Sequence, residues 1–432
     1  MTHLWKRILG LGLASALALS LGACQTGSQD GAETESTAAA TASQEASSTA
    51  ESSAAAETAA ALTSNPQECI ENFDENTDYF PEKIKFTDAT GVSVEYFNSY
   101  KVVTVEQPTP GAAPVSYVLV QCGAPKPQLE GKLADAMQIE VPVNRIASVS
   151  TTQIPALQML EVAEKVVGVA NAGNLQDGPV KQQVAAGTTQ TFGNEDYTHD
   201  VEKVVALNLD VMFQGGTENE SDAKLRELGV PLVALAEWLE TTPLGRAEWM
   251  KYFSLFVNKE AKATELYEQI RTDYQAVADK LKDVENRPTV IAGTMYKGTW
   301  YIPAGDSYFA AYLKDAGADY VFADTEGTGS IEDTIETVLA KGADADFWVN
   351  GDSSGKWPTK ADVLQADERF ANFAAVQKGN MWNPTLRINE EGGNDYWQQG
   401  VVRPDLVLGD LAAVFHPELM PDHEFTFYQQ VK

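Results

Sequence analysis

The sequence predicts an α/β protein of two lobes joined by a long helix, with a small β-rich module in front of them. Three observations predict this class. From about Val141 onward, strand-like apolar runs alternate with helical stretches, the pattern of parallel sheets. One long helical stretch without a breaker divides that alternation in two. Ahead of Val141, two strand-like runs lie between two cysteines with no helical periodicity.

The first 24 residues read as a targeting segment. Lys6 and Arg7 form a basic start, "ILGLGLASALALSL" is a short apolar core, and "LGAC" closes it. An aliphatic residue, two small residues and a cysteine resemble the lipobox of bacterial lipoproteins, which implies lipidation at Cys24. Residues 25–64 are almost entirely Ala, Ser, Thr, Glu, Gln and Gly. Such a stretch has too little apolar surface to offset its conformational entropy and is expected to act as a disordered tether. The protein is therefore expected to be exported and held at the outer or periplasmic face of a plasma membrane.

In an exported chain the two remaining cysteines, Cys69 and Cys122, are expected to pair. They bracket "GVSVEYFNSYKVVTVEQ" and "PVSYVLVQC", which gives a β-rich module over 65–140. A first lobe follows over 141–245, with strands expected in "RIASVS", "KVVGVA", "VVALNLDVMFQGG" and "VPLVALA" and helices in "IPALQMLEVA" and "SDAKLRELG". The linking helical segment is 246–286. Its second half carries Ala263, Leu266, Tyr267, Ile270, Tyr274, Val277 and Leu281 at helical spacing, which predicts a helix from Lys259 to about Val284, ended before Pro288. The second lobe fills 287–432.

Composition narrows the function. With 62 acidic and 31 basic residues, the chain lacks the concentrated basic surface that nucleic acid requires. No nucleophile elbow or P-loop is present outside the targeting segment. His199, His416 and His423 are too few to suggest metal ligation or acid–base chemistry, and no carboxylate pair stands out. An enzyme and a resident cofactor are not expected.

Binding is favoured by polar clusters that follow strands. In the first half these are Ser150, Thr151, Thr152 and Gln153, then Asn171 and Asn174, Gln214 and Thr217, and Glu237 with Trp238. In the second half come Lys297, Trp300 and Tyr301, then Asp306, Ser307 and Tyr308. Trp348 and Asn350, Trp382 and Asn383, and Asn394, Tyr396 and Trp397 complete the set. Each cluster alone is ordinary turn chemistry. Their recurrence in both halves points to a shared cleft for a bulky, partly apolar ligand.

The stretch "RIASVSTTQIPALQMLEVAEKVVGVAN" resembles the opening of the solute-binding proteins of ABC importers for iron–siderophore complexes, haem and cobalamin. "GVPLVALAEWLETTPLGRAEWMKYFSLFVNKEAKA", "YKGTWYIPAGDSYFAAYLKDAGADYVFAD" and "GGNDYWQQGVVRPDLVLGDLAAVFHPELMPDHEFTFY" resemble a bacterial lipoprotein branch of that family. The resemblance covers about Val141 to the end of the chain. It implies two Rossmann-like lobes joined by a single long helix, a ligand between them, and little lobe closure. It also implies a permease and its ATPase as partners, met by a glutamate from each lobe: Glu218 or Glu220 in the first, Glu332 or Glu336 in the second. The expected ligand is a metal chelate such as a ferric siderophore, bound by a monomer. The module over 65–140 is foreign to the family pattern and reads equally as spacer, docking face or lid. Two rival readings are an exported enzyme on the same scaffold and an adhesion or scaffold lipoprotein.

Overall fold

A computed structural model describes residues 62–432 apart from Thr217. The targeting segment, Cys24, the tether as far as residue 61 and Thr217 lie outside the described residues.

The N-terminal module is a four-stranded sheet of β1 (Val92–Tyr96), β2 (Tyr100–Val105), β3 (Val115–Gln121) and β4 (Met137–Val141), in that order. The first three strands run antiparallel, as their alternating valines and tyrosines suggest; β4 adds in parallel to β3. A disulfide joins Cys69 to Cys122, closing 53 residues. The module does not stand apart. Phe80, Val103, Val105, Leu119 and Val141 share one apolar core with Leu157, Phe213, Trp249 and Phe256 of the following segments.

Lobe one is a parallel sheet of β5 (Ile146–Ser148), β6 (Val166–Val169), β7 (Gln190–Thr191), β8 (Val211–Gly215) and β9 (Leu232–Leu235). The spatial order is β7-β6-β5-β8-β9. Parallel strands covered on both faces need continuous apolar runs, and "VVGV" and "VMF" supply them. The first three residues of "VVALNLDVMFQGG" belong to a helix, Val201–Ala206, rather than to a strand. Asp200 starts that helix by accepting the Lys203 N–H, and only Val204 of its residues is buried.

The linking segment is three helices, Pro243–Glu248, Met250–Val257 and Glu260–Leu281. Asn258 in the left-handed region separates the second from the third. The long helix has 22 residues, shorter at both ends than the spacing predicts. At about 33 Å it still crosses a small domain. It buries Ala263, Tyr267, Ile270, Tyr274 and Leu281 and lies against the helix Pro404–Phe415 of lobe two.

Lobe two contains β10 (Thr289–Ala292), β11 (Thr294–Tyr296), β12 (Thr299–Pro303), β13 (Asp319–Tyr320), β14 (Ser330–Asp333), β15 (Phe347–Val349), β16 (Met381–Asn383) and β17 (Gln429–Gln430). Its main sheet, β13-β10-β15-β16-β17, is parallel except for the last strand. A small antiparallel sheet, β11-β12-β14, is attached to it in sequence and was not legible as such.

Candidate functional site

In open parallel sheets, ligands sit beyond the carboxyl ends of the strands, where the strand order reverses direction. In lobe one that point lies between β5 and β8, and in lobe two between β10 and β15. The "SVSTTQ" turn leaves β5 at the first of these points.

Much of this turn's polarity shapes the turn itself. Ser150 accepts the Thr152 N–H at 3.3 Å, and Ser148 Oγ stands 2.7 Å from Gln153 Oε1. Thr151–Gln153 then form a short 3-10 turn into the helix Ile154–Met159, with Pro155 in its first turn. Gln153 is buried and its Nε2 has no hydrogen-bond partner among the described residues. Thr152 Oγ1 reaches Glu237 Oε1 at 3.4 Å. The clusters after β5 and β9 therefore meet.

Glu237 is buried, and its Oε2 is unpartnered; Trp238 Nε1 and Arg246 Nε are unpartnered too. Burial pushes the Glu237 carboxyl up, against the opposing pull of Arg246. Burial works against the charge on Arg246, but Tyr308 and Glu237 hold it above its ordinary value. The Arg246 guanidinium lies 4.2 Å from the Tyr308 ring centre, so a cation from the linking segment meets an aromatic face of lobe two. Tyr312 and Tyr396 stand behind it, and Tyr428 Oη donates to Asn350 Oδ1 at 2.7 Å. Arg246, Tyr308, Tyr312, Tyr396 and Trp397 enclose only about 10 Å³. The linking segment is shut against lobe two here.

The loops after β6 and near residue 393 close the same side. Gln176 Nε2 donates to the Gly393 carbonyl at 2.7 Å, and Gln398 Nε2 to that of Asn174 at 2.5 Å. Asn389 Nδ2 donates to the Gly173 and Leu175 carbonyls at 3.0 and 2.9 Å. Asn171 accepts the Gly173 N–H and so shapes its loop, while Asn174 contributes a backbone carbonyl to the seam.

Other expected residues fall elsewhere. Trp300 and Trp348 are fully buried, pack on each other with centres 5.0 Å apart, and donate to the carbonyls of Ala292 and Gly293. They are corrected from cleft contacts to core of lobe two. Lys297 sits at the exposed tip of the β11–β12 hairpin in the left-handed region, and Tyr301 pairs within the small sheet. Asp306 accepts the Gly327 N–H, and Ser307 caps the helix Tyr308–Asp315; both line a separate hollow of about 530 Å³ with Thr241 and Lys314. Trp382 stacks on Phe425. Asn383 accepts the Asp352 N–H and Asn394 donates to two carbonyls, so both brace loops, although Asn383 Nδ2 remains unpartnered.

Gln214 turns away from the cleft. It bonds Asp222 and accepts from Arg226, and with Glu218 it lines a hollow of about 500 Å³ between the module and lobe one. Glu218 pairs with Arg226, whereas Glu220 is exposed in the first turn of the helix Glu220–Glu227. Glu332 is corrected from a helix start to strand β14, paired with Tyr301; Glu336 does occupy a helix first turn and pairs with Arg369.

Arg246, Tyr312 and Tyr428 were missed. An arginine inside "PLGRAEWM" reads as an ordinary helix-surface cation, and only the four-residue step from Tyr308 to Tyr312, which puts both on one helix face, hinted at a second tyrosine. Among the described residues no group of three His, Cys, Asp or Glu side chains is placed to hold a metal ion.

Among curated relatives, an uncharacterized lipoprotein of Methanocaldococcus jannaschii is 31% identical over 311 residues, covering 69% of this chain and 71% of that protein. Among solved structures, a periplasmic binding protein from Veillonella parvula superposes with a TM-score of 0.51 at 16% identity, covering 76% of this chain and 98% of that one. A periplasmic heme binding protein from Pseudomonas aeruginosa gives 0.51 at 17% identity, covering 67% of this chain and 98% of that one. No helix among the described residues is long and apolar enough to cross a membrane. The family described as periplasmic binding protein matches residues 146–382, more than half of the sequence. The chain belongs to that family.

Proposed function

We propose that this protein is a solute-binding lipoprotein that captures a chelated metal, a ferric siderophore, between its lobes and passes it to an ABC permease and its ATPase. The observation that carries the reading is the set of buried polar atoms without partners on Gln153, Glu237, Trp238 and Arg246, the last of which lays its guanidinium on the Tyr308 ring. Buried polar atoms are normally satisfied, and a cluster of exceptions is explained by a ligand that completes them. A guanidinium beside aromatic rings suits an anionic, partly aromatic chelator, which presents oxygens to the cation and a flat frame to the tyrosines. A metal delivered in that form needs no protein ligand.

The cleft must open for this. The space now beside Arg246 is too small for one water, so the ligand would part Arg246 from Tyr308 and break the seam at Gln176 and Gln398. Cys24 would carry the lipid anchor. Glu220 and Glu336, exposed in helix first turns, are the acids we assign to the permease.

Titration by intrinsic tryptophan fluorescence tests the reading, with Trp238 and the exposed Trp397 as reporters. Ferric siderophores are expected to quench at micromolar concentration or below, and Arg246→Met to weaken binding by about tenfold or more. Haem or cobalamin binding in their place would change the ligand class; no response to any of the three would sink the proposal.

A further inference from the structure

The segment from Glu237 to Trp249 faces two ways. Glu237 and Arg246 belong to the cleft wall, while Glu240 and Glu248, on the same short turn and helix, reach the N-terminal module. Glu248 is fully buried, and its oxygens accept the N–H groups of Thr87, Asp88 and Ala89 at 2.7–2.9 Å. Glu240 accepts those of Thr90 and Gly91 at 3.0 and 2.8 Å and also the indole N–H of Trp249 at 2.9 Å. Two carboxylates thus receive five successive backbone N–H groups from one loop, an anion-holding nest with the anions supplied by the protein itself.

The approach is close. A Cβ on Gly245 would fall 2.9 Å from the Asp88 carbonyl, and one on Gly91 would fall 3.2 Å from Glu240 Oε1. From below, Tyr267 and Arg271 of the long helix hold the Asp88 carboxylate at 2.6 and 3.1 Å. Arg246 has little of its own to keep it in place: its Nε is unpartnered, and its contacts are an aromatic face and the field of Glu237. A half-buried cation so weakly tied would turn toward water unless its backbone were fixed.

We propose that the module over 65–140 is a buttress for the cleft, and that Glu240 and Glu248 are positioning residues that set Arg246 and Glu237 through the loop Thr87–Gly91. The inference rests on the cleft being the ligand site. It gives the module a role in binding that is neither spacer nor lid.

The test uses the full chain with two changes, Glu240→Gln and Glu248→Gln, and Lys101→Met as control. Lys101 also ties the module to the long helix, through Glu260, but touches nothing between Glu237 and Trp249. Hydrogen exchange is followed by mass spectrometry, and binding is measured with haemin and a ferric tris-catecholate. The double variant is expected to speed amide exchange across 237–249 but not across β5 and β6. It is also expected to weaken chelate binding about tenfold, while the control does neither at a comparable loss of melting temperature. Unchanged exchange across 237–249, affinity within about twofold of the parent, or equal loss in the control would each overturn the proposal. If the parent binds neither chelate, the reading of the cleft fails, and local exchange alone decides whether the buttress exists. Glu240→Gln alone, which leaves the Glu248 grip, serves if the double variant does not fold.

Discussion

At Glu237 two demands conflict. A carboxylate with an unpartnered oxygen is a poor choice for a buried wall, and its burial raises the carboxyl above the usual range despite Arg246. A carboxyl raised on folding contributes stability that is complete below its unfolded value and is lost as pH rises through its folded value. Glu237→Gln is therefore expected to stabilise the ligand-free protein at pH 7–8 by about 1–3 kcal/mol, with the gain shrinking as pH falls toward about 4.5. Thermal melts across that pH range check it, and a destabilised variant at pH 8 would mean that the carboxylate is fully compensated. Stability given up at a binding wall is a common signature of function. Single residues were also the hardest scale to read from sequence. Ser150 to Gln153 could be read as the turn after a strand because they follow an apolar run and precede a proline. Trp300 and Trp348 could not, because a tryptophan at a strand end looks alike whether the pleat turns it to the core or to the cleft.

At the scale of elements, the long helix and the module are joined by an ion pair that water does not reach. Lys101 Nζ stands 2.6 Å from Glu260, and both side chains are fully buried. The Leu255 carbonyl and Asn258 take the remaining protons of the ammonium. Burial works against both charges, so the pair is neutral or modest in net worth, but losing one partner strands the other. Lys101→Met is expected to cost about 3–5 kcal/mol, and adding Glu260→Leu to recover much of it, by denaturant titration. A double variant no more stable than the single one would refute the stranded-charge account. The Cys69–Cys122 bond, which closes 53 residues, is expected to contribute about 4 kcal/mol in the chain-entropy account, read as the drop in midpoint on reduction. The helix itself was legible from the spacing of Ala263, Tyr267, Ile270 and Tyr274, and its start was placed within one residue; its end was placed about three residues late, since only Pro288 marks the stop. Val204–Ala206, the end of the helix Val201–Ala206, read as strand because valine favours strands, and the Asp200 cap turns the segment to helix.

At the scale of the molecule, the "SVSTTQ" turn and Asn350 leave strands at which the sheets reverse their order, whereas Glu237 and Arg246 follow the edge strand β9 and Tyr308 follows β12. Alternation of strands and helices made the two lobes visible. What alternation cannot carry is how the lobes meet, since Arg246 and Tyr308, or Gln398 and Asn174, come together only across more than sixty residues of chain. The shut seam also bears on the expectation of little lobe closure. On the proposed reading a ligand opens this cleft rather than closes it, and what it parts is a few amide–carbonyl bonds and one arginine–tyrosine contact. Such contacts are individually weak, so opening lies within reach of the binding energy of a chelate.

Strand β9 is the edge of the lobe-one sheet, and its exposed side is answered by tyrosines: Ala234 N–H donates to Tyr117 Oη of the module at 2.8 Å, and Tyr252 Oη donates to the Ala234 carbonyl at 2.9 Å. An open edge is a template for another chain. The module and the helix Met250–Val257 together do for lobe one what a selvedge does for cloth. They finish the sheet at a margin that would otherwise stand open.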